Sequence, residues 1–423
     1  MARRKKNNLN KRLFKVLLAM STLLMVLLVI AFINEKTLSD NNENDKSKDI
    51  VVSQDDTDLE ASKETNLSNE PKDMVDSADP ALPSQIDEDH LDEENHIEDD
   101  EQPLPADPIV LAFAGDVNFD EDSRPVARYD RENKGILGGI SQELVDEMNQ
   151  ADIFMLNNEF AYSTRGREIK EKSYTFRAHP KRVDILKEMG VDIVSLANNH
   201  ALDFGEEALL DTFTTLDEAG IDYVGAGINM DRAKKPIYYT IGDTTVAYVA
   251  ASHVIYAMDW YATDTRPGMI GTYDPTLFVT SIKEAKENSD FVVVYVHWGK
   301  ERVHEPVDYQ KNLARIYIDA GADAVIGCHP HVMQGIEFYK GKTIAYSLGN
   351  YWFNGSKRET GLLKIYLNPD GTTDTQLLAA MNEDTYTYMI TDEKARNDYY
   401  KFMEDISFNV TFDEKGYAIN LNP

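Results

Sequence analysis

Cysteine is almost absent from this chain of 423 residues, in which Cys328 is the single example. A disulfide within the chain requires two cysteines and a thiolate zinc cluster requires more, so both are excluded. Basic residues are also scarce, because 43 lysines and arginines face 74 acidic residues and leave a formal net charge of -31. Such a charge repels nucleic acids, which argues against a nucleic-acid partner.

Aromatic residues are missing from residues 35–107, where acidic residues also far outnumber basic ones. A segment of this composition has too little apolar surface to offset the entropy of the unfolded chain. We therefore predict a disordered, self-repelling acidic linker over 35–107.

A hydrophobic segment lies near the N-terminus, where residues 16–33 contain no charged side chain. Eighteen residues approach the roughly 20 that span a bilayer, and seven Lys or Arg residues precede them. Basic flanks stay in the cytoplasm, so we predict that residues 1–34 are a cytoplasmic tail and a single-pass transmembrane signal anchor. A cleavable signal peptide is the alternative, although residues 29–33 offer no small-x-small cleavage site. The expected location of the remaining chain is extracellular, at the cell membrane.

The remainder, residues 108–423, shows the alternation of an α/β domain. Apolar, β-branched runs that predict buried strands occur at 109–113, 153–156, 193–196, 246–251, 291–296, 324–326 and 344–347. Segments with helical periodicity lie between many of them, at 142–148, 181–189, 206–219, 275–287 and 309–320. The stretch from about 360 predicts further strands and a helix that complete the same domain.

Polar residues directly follow most of these predicted strands. Alone, an Asp after a strand is usually a turn former, and a lone His is more often structural than a ligand. Together they are more informative, because the carboxyl ends of strands in α/β folds meet at one crevice. The residues at these ends are Asp116, Asn118, Glu159, Asn199, His200, Asp203, His297, Glu301, His329 and His331.

Imidazole, carboxylate and amide groups in one cluster predict a divalent metal site. These ligands suit manganese, iron or zinc better than calcium or magnesium, and they are numerous enough for one or two ions. A basic stretch at 165–182 lies near the cluster in sequence, and it is either a solvated face or an anion-binding loop. Arg177, between Phe176 and Ala178, is its best candidate for contacting substrate.

The motifs in this order resemble the CapA family of poly-γ-glutamate capsule synthesis proteins, over roughly residues 108–365. The matching pieces are Ala114-Gly115-Asp116, Asn158-Glu159, the run 195–200 with Asp203, His297-Trp298-Gly299 with Glu301, His329-Pro330-His331 and the run 347–350. That family is similar to the calcineurin-like metallophosphoesterases. The resemblance implies a two-sheet sandwich flanked by helices, with a dinuclear metal centre.

The resemblance also implies roles for individual residues. The expected metal ligands are Asp116, Glu159, Asn199, His297, His329 and His331, and His200 is the expected catalytic proton donor. Substrate contacts are expected from Asn118, Arg177, Asp203 and Glu301. The chain departs from the metallophosphoesterase pattern twice, because Asn118 replaces a histidine and Glu159 stands where an aspartate bridges the metals.

Three hypotheses about function remain open at the level of sequence. The first is a membrane-anchored protein of poly-γ-glutamate synthesis or export, whose partners are that polymer, or another anionic one, and the membrane-bound synthetase subunits. The second is an extracellular metal-dependent phosphoesterase or other hydrolase. The third is a surface protein whose cluster is only structural, and metal content would distinguish it from the others.

Overall fold

A computed structural model describes residues 107–355 and 357–422. The predicted anchor and almost all of the predicted linker lie outside these residues, so both stay predictions. In the part of the chain that is described, no helix combines the length and apolar character needed to cross a membrane.

The described residues alternate between strands and helices. The strands are β1 Ile109–Val117, β2 Ile153–Asn158, β3 Ala161–Tyr162, β4 Arg177–Ala178, β5 Ile193–Ser195, β6 Asp222–Val224, β7 Ala226–Gly227, β8 Ile237–Ile241, β9 Thr244–Ser252, β10 Gly268–Met269, β11 Phe291–His297, β12 Ala324–Cys328, β13 Met333–Tyr339, β14 Lys342–Leu348, β15 Asn350–Trp352, β16 Arg358–Leu367, β17 Thr373–Glu383, β18 Tyr386–Met389, β19 Val410–Phe412 and β20 Ala418–Asn420. The α-helices are α1 Arg124–Glu132, α2 Gln142–Asn149, α3 Val183–Glu188, α4 Gly205–Ala219, α5 Met230–Ala233, α6 Thr276–Glu287, α7 Asp308–Ala320 and α8 Glu393–Ile406.

Two large mixed sheets organise the fold. The first has the order β18-β17-β16-β1-β2-β5-β6, with β15 beside β1, and the second has the order β13-β14-β12-β11-β9-β8. In the first sheet β1, β2, β5 and β6 are parallel, and in the second β9, β11, β12 and β14 are parallel. The mixed α/β fold with several sheets is therefore confirmed.

Alternation along the central strands explains why the sheets stack with helices outside them. Phe113 of β1 and Tyr295 of β11 belong to one buried cluster that both sheets share. Their neighbours Ala112 and Val294 point the other way, into two separate clusters that contain helical side chains. Successive strand residues face opposite sides, so each strand fills one inner and one outer core. The Tyr295 hydroxyl also donates to the Ala114 carbonyl, at 2.7 Å, and joins the sheets.

The parallel registers bring the carboxyl ends of the central strands level with each other. In the first sheet Asp116 lies opposite Asn157, and in the second His297 lies opposite Cys328. Polar residues that follow these strands in sequence are consequently close in space. The fold positions the site through this alignment.

Gly115 marks a close approach between chain segments at that edge. The backbone N–H of Asp116 donates to the Gly349 carbonyl at 2.9 Å, and a Cβ on Gly115 would overlap the same carbonyl oxygen. Because the overlap is with backbone, we expect Gly115→Ala to lower the free energy of unfolding by about 1–3 kcal/mol. Denaturant unfolding measures this.

Gly138→Ala is the matched control for Gly115→Ala. Its Cβ would first meet a side-chain carbon, that of Glu132, at 3.0 Å, and no backbone atom is closer. A smaller loss is expected there. Equal unfolding free energies for wild type and Gly115→Ala would show that β1 tolerates a wider separation from Gly349.

Candidate metal site

Asp116 is fully buried near the end of β1. It belongs to a cluster of polar residues that consists of Asp116, Glu159, Asn199, His200, His297, His329 and His331. Its Oδ1 accepts a hydrogen bond from Asn157 Nδ2 at 2.7 Å, and its Oδ2 accepts from the backbone N–H of His329 at 3.2 Å. His331 Nδ1 lies 3.4 Å from the same Oδ2. Asp116 therefore connects the first sheet to the His329-Pro330-His331 loop of the second.

Three imidazoles surround one carboxylate oxygen of Glu159. The Nε2 atoms of His200, His297 and His331 each lie 3.8 Å from Glu159 Oε1. Glu159 is fully buried, and within the described residues this Oε1 has no hydrogen-bond partner. Because the three nitrogens lie beyond hydrogen-bonding distance, this oxygen lacks the compensation that burial requires, whereas Oε2 accepts from Asn157 Nδ2 at 3.5 Å.

The loop after β12 carries two of the histidines in an unusual backbone conformation. His329 has φ 96° and His331 has φ 56°, which are left-handed values that L-residues seldom adopt. Strain of this kind persists only where surrounding contacts enforce it. One such contact is made by His331, whose Nδ1 lies 2.7 Å from Asn350 Oδ1.

His297 ends β11 and contacts the polar residues of the other sheet. Its Nε2 lies 2.7 Å from Asn199 Oδ1, while its Nδ1 lies 3.3 Å from Asn157 Nδ2 and 3.2 Å from Cys328 Sγ. The structure therefore places Asn199, one of the expected ligands, beside His297. Cys328, the single cysteine of the chain, is also a direct neighbour of His297.

His200 is held from one side by a buried ion pair. Its Nδ1 lies 2.6 Å from Asp203 Oδ2, and Lys172 Nζ lies 2.5 Å from the other oxygen of Asp203 and 3.1 Å from Nδ1. The lysine side chain is only 10% exposed, and it also donates to the Asn199 carbonyl. The Phe176 ring stacks on the imidazole at 4.2 Å. These contacts fix the ring and leave Nε2 directed to the cluster.

Asp116 and Glu159 are two neighbouring buried carboxyl groups, and their pKa values shift in opposite directions. Burial acts most strongly on Asp116, but the hydrogen bond and charge of His331 outweigh it and hold the pKa of Asp116 below its ordinary value. Burial and the neighbouring Asp116 raise the pKa of Glu159 well above its ordinary value. Without a cation, Asp116 therefore loses its proton more readily, and Glu159 keeps its proton to higher pH.

The pKa values of the histidines also shift in opposite directions. Burial, with the charge of His331, lowers the pKa of His329 to about 3 and that of His297 well below its ordinary value. Burial opposes ionisation of His331 too, but Glu159 and Asp116 raise its pKa to about 10. His331 is thus a cation at neutral pH, unlike His297 and His329.

The donor set fits a divalent cation. Two groups have ligand atoms within 4.8 Å of one another, Asp116 with His297 and Cys328, and Glu159 with His329 and His331. Glu159 Oε1 and His329 Nδ1 are both buried without a hydrogen-bond partner in the described part of the chain. A cation among these groups would satisfy the unpartnered atoms and replace the positive charge of His331.

The residues predicted to contact substrate occupy different places. Asp203 is buried behind His200 as its hydrogen-bond partner. Asn118 is buried as well, and its Oδ1 accepts from the Asp120 backbone N–H at 2.8 Å. Glu301 is exposed at the mouth of a cleft beside His200 and His331.

Arg177 does not join the cluster. Its Nη1 donates to the Arg165 carbonyl at 2.9 Å, and its guanidinium lies over the Phe204 ring at 4.1 Å. Three residues that were not predicted as site residues are associated with the histidines. Lys172 contacts His200, and Arg302 and Arg358 line the same cleft as His200 and His331. Lys172 belongs to the basic stretch noted in the sequence, but no local pattern distinguished it from its neighbours.

Comparison with known families identifies one match over most of the described chain. The sequence model of the family described as "Bacterial capsule synthesis protein PGA_cap" matches residues 110–355. That range contains every residue of the cluster. It ends before β16, so the remaining strands and α8 lie outside the match.

Curated relatives match a similar portion. The "PGA biosynthesis protein CapA" of Bacillus subtilis (strain 168) is 37% identical over 206 residues, which are 48% of this chain and 54% of the relative. The "Capsule biosynthesis protein CapA" of Bacillus anthracis is 35% identical over 209 residues, which are 48% of this chain and 50% of the relative. The chain thus spans about half the length of the curated relatives it matches.

Among solved structures, a putative 5'-nucleotidase from Staphylococcus aureus in complex with alpha-ketoglutarate is similar at a TM-score of 0.41. It is 15% identical in sequence, and the match covers 70% of this chain and 58% of that one. At this distance the likeness carries no conclusion about activity.

Proposed function

Because the chain belongs to the bacterial capsule synthesis protein PGA_cap family, we propose that it is a membrane-anchored extracellular protein of poly-γ-glutamate synthesis or export. The names of its relatives from Bacillus support the polymer, since they refer to PGA and capsule biosynthesis. The hydrophobic segment 16–33 and its basic flank support the anchor. Membrane-bound synthetase subunits are the proposed protein partners.

The observation that carries the metal-site part of this proposal is the arrangement of three imidazole nitrogens around Glu159 Oε1. We propose that Asp116, Glu159, Asn199, His297, His329 and His331 hold one or two divalent cations, with manganese, iron or zinc suited to these ligands. When bound, such a cation polarises an anionic or carbonyl oxygen as a Lewis acid.

Deletion of the gene is expected to reduce the amount of poly-γ-glutamate on the surface of the native host. Wild-type protein supplied from a plasmid should restore it, whereas His331→Ala should not, because that variant loses a proposed ligand and the partner of Asp116. Polymer on cells and in medium is measured after acid hydrolysis. His179→Ala, which changes an exposed histidine outside the cluster, is the matched control.

The outcome that contradicts this proposal is unchanged polymer, both attached and released, in the deletion strain. Full restoration by His331→Ala would instead retain the role in polymer synthesis and remove the metal site from it. Immunoblots of the membrane fraction verify that each variant is present in equal amount.

A second candidate function is a metal-dependent phosphoesterase or other hydrolase, and the His200–Asp203 pair favours it. Asp203 and Lys172 hold the imidazole at Nδ1, and its Nε2 faces both the cluster and the cleft. A histidine fixed in this way can give a proton to a leaving oxygen. Burial lowers the pKa of His200, although Asp203 opposes that effect.

A further inference from the structure

A cleft of about 260 Å³ opens onto the cluster from solvent. His200 and His331 form its inner end, and the Nε2 atom of each lies 3.8 Å from Glu159 Oε1. Phe176 and Phe353 line its apolar side, with their ring centroids 5.8 Å apart. A ligand in this cleft would contact the two histidines directly.

Two arginines line the same cleft. Among the described residues, Arg302 and Arg358 make no side-chain hydrogen bond and no ion pair within 4.0 Å. Arg182, in contrast, binds both Glu121 and Asp130, and Arg315 binds Glu337. In a chain with a net charge of -31, two unpaired guanidinium groups in one cleft leave a local excess of positive charge.

Backbone contacts fix the positions of Arg302 and Arg358. Arg302 has φ 61°, a left-handed value, and its N–H donates to the Pro330 carbonyl at 2.7 Å. This bond ties Arg302 to the loop that carries His329 and His331. Arg358 starts β16 and pairs with Asn382 of β17, so it extends from the other sheet. The two side chains therefore approach the cleft from two rigid supports.

From this juxtaposition we propose that Arg302 and Arg358 bind an oxyanion of the ligand while His200 and His331 contact its inner part. The planar guanidinium group donates paired hydrogen bonds to carboxylates and phosphates alike, so the shared chemistry is an oxyanion. Its source is either a carboxylate of a γ-linked glutamate chain or a phosphate ester. This inference rests on the proposed function, because it identifies the substrate class of the same site.

Glu301 adds a carboxylate to the cleft that contains the two arginines. Its exposed carboxylate lines the cleft next to Arg302, so a ligand with closely packed negative charge is repelled there. A chain with spaced carboxylates and amide N–H groups between them can place each oxyanion at an arginine and a donor at Glu301. The apolar side of the cleft, formed by Phe176 and Phe353, accommodates the methylene groups of such a chain.

Binding to the full chain, purified in detergent and loaded with manganese, tests the proposal. The probes are a fluorescent oligomer of γ-linked glutamate and, separately, inorganic phosphate and phenyl phosphate. We expect Arg302→Gln and Arg358→Gln each to weaken binding of the preferred probe about 10-fold or more, because each removes a charged hydrogen bond. Arg302→Lys and Arg358→Lys should give intermediate values, since they keep the charge and lose the fork.

Arg131→Gln is the matched control, because Arg131 lies exposed on α1, pairs with Glu132 and does not line the cleft. Binding of the oligomer alone identifies a carboxylate source, and binding of the phosphates alone identifies a phosphate ester. The inference is overturned if both glutamine variants bind as tightly as wild type, or if wild type binds no probe. Glutamine variants that bind the probes like wild type, in a host where gene deletion lowers surface polymer, would overturn the inference and leave the proposed function standing.

Discussion

His200→Ala is expected to lower the metal-dependent hydrolysis of an aryl phosphate by roughly 10²–10⁴-fold, the usual contribution of a positioned proton donor. The expectation applies to the hydrolase hypothesis. Its basis is the geometry of the ring. Asp203 and Lys172 hold the ring at Nδ1, Nε2 faces Glu159, and the residue lines the cleft. Alanine removes the proton donor without changing the residues proposed to bind the cation.

Initial rates on p-nitrophenyl phosphate with manganese, together with the metal content of each sample, measure this effect. The control is His179→Ala, which should retain wild-type turnover because His179 lies outside the cluster and is exposed. Equal turnover in wild type and His200→Ala would remove His200 from the chemistry. Loss of metal together with turnover would make His200 a ligand rather than a proton donor.

The strands that build the site were predictable because their local signals agree with the fold. Runs of β-branched residues predicted β1, β2, β5, β9, β11, β12 and β14, and all seven are present. Polar residues follow these runs directly, and parallel pairing then aligns them at one edge. Their positions after the predicted strands therefore predicted that Asp116, Glu159, Asn199 and the histidines lie at one edge, without knowledge of contacts between the sheets.

The anion-binding side chains were less accessible to sequence reasoning. Arg177 attracted attention because it has apolar neighbours, but the fold places its guanidinium against the Arg165 carbonyl and the Phe204 ring. Arg302 and Arg358 are separated by 56 positions and lie in no basic cluster of the sequence. Only packing of the two sheets brings them to one cleft, and no local pattern reports such packing.

Lys172 shows a related limit. It is one of several basic residues in a stretch that reads as a solvated face, yet it lies buried against Asp203 and His200. A buried lysine is recognised by its partners, and these are contributed by a loop some 30 residues later. The departures at Asn118 and Glu159 were visible in the sequence, whereas the unpartnered state of Glu159 Oε1 required the structure.

Glu159→Gln is expected to change stability in opposite directions with and without metal. In the metal-free protein, burial and Asp116 raise the pKa of Glu159 well above its ordinary value of 4.5. The folded protein then holds a proton that the unfolded chain releases above that pH, so this group's contribution to stability falls as pH rises. Glutamine does not titrate, and the metal-free variant should therefore be more stable than wild type at pH 7.

With metal the order should reverse, because glutamine cannot supply the carboxylate ligand. A cation present at 100 times its dissociation constant stabilises the wild type by about 2.7 kcal/mol, and the variant should gain far less. Thermal unfolding between pH 4 and 8, with manganese or with a chelator, measures both effects. Glu305→Gln, at an exposed glutamate paired with Lys311, is the control and should respond to metal like wild type.

A chelator that leaves wild-type stability unchanged at every pH would assign the cluster a purely structural role. Convergence of the two metal-free proteins near pH 4 would identify the proton on Glu159 as the source of the difference, since both side chains are neutral in the folded state there.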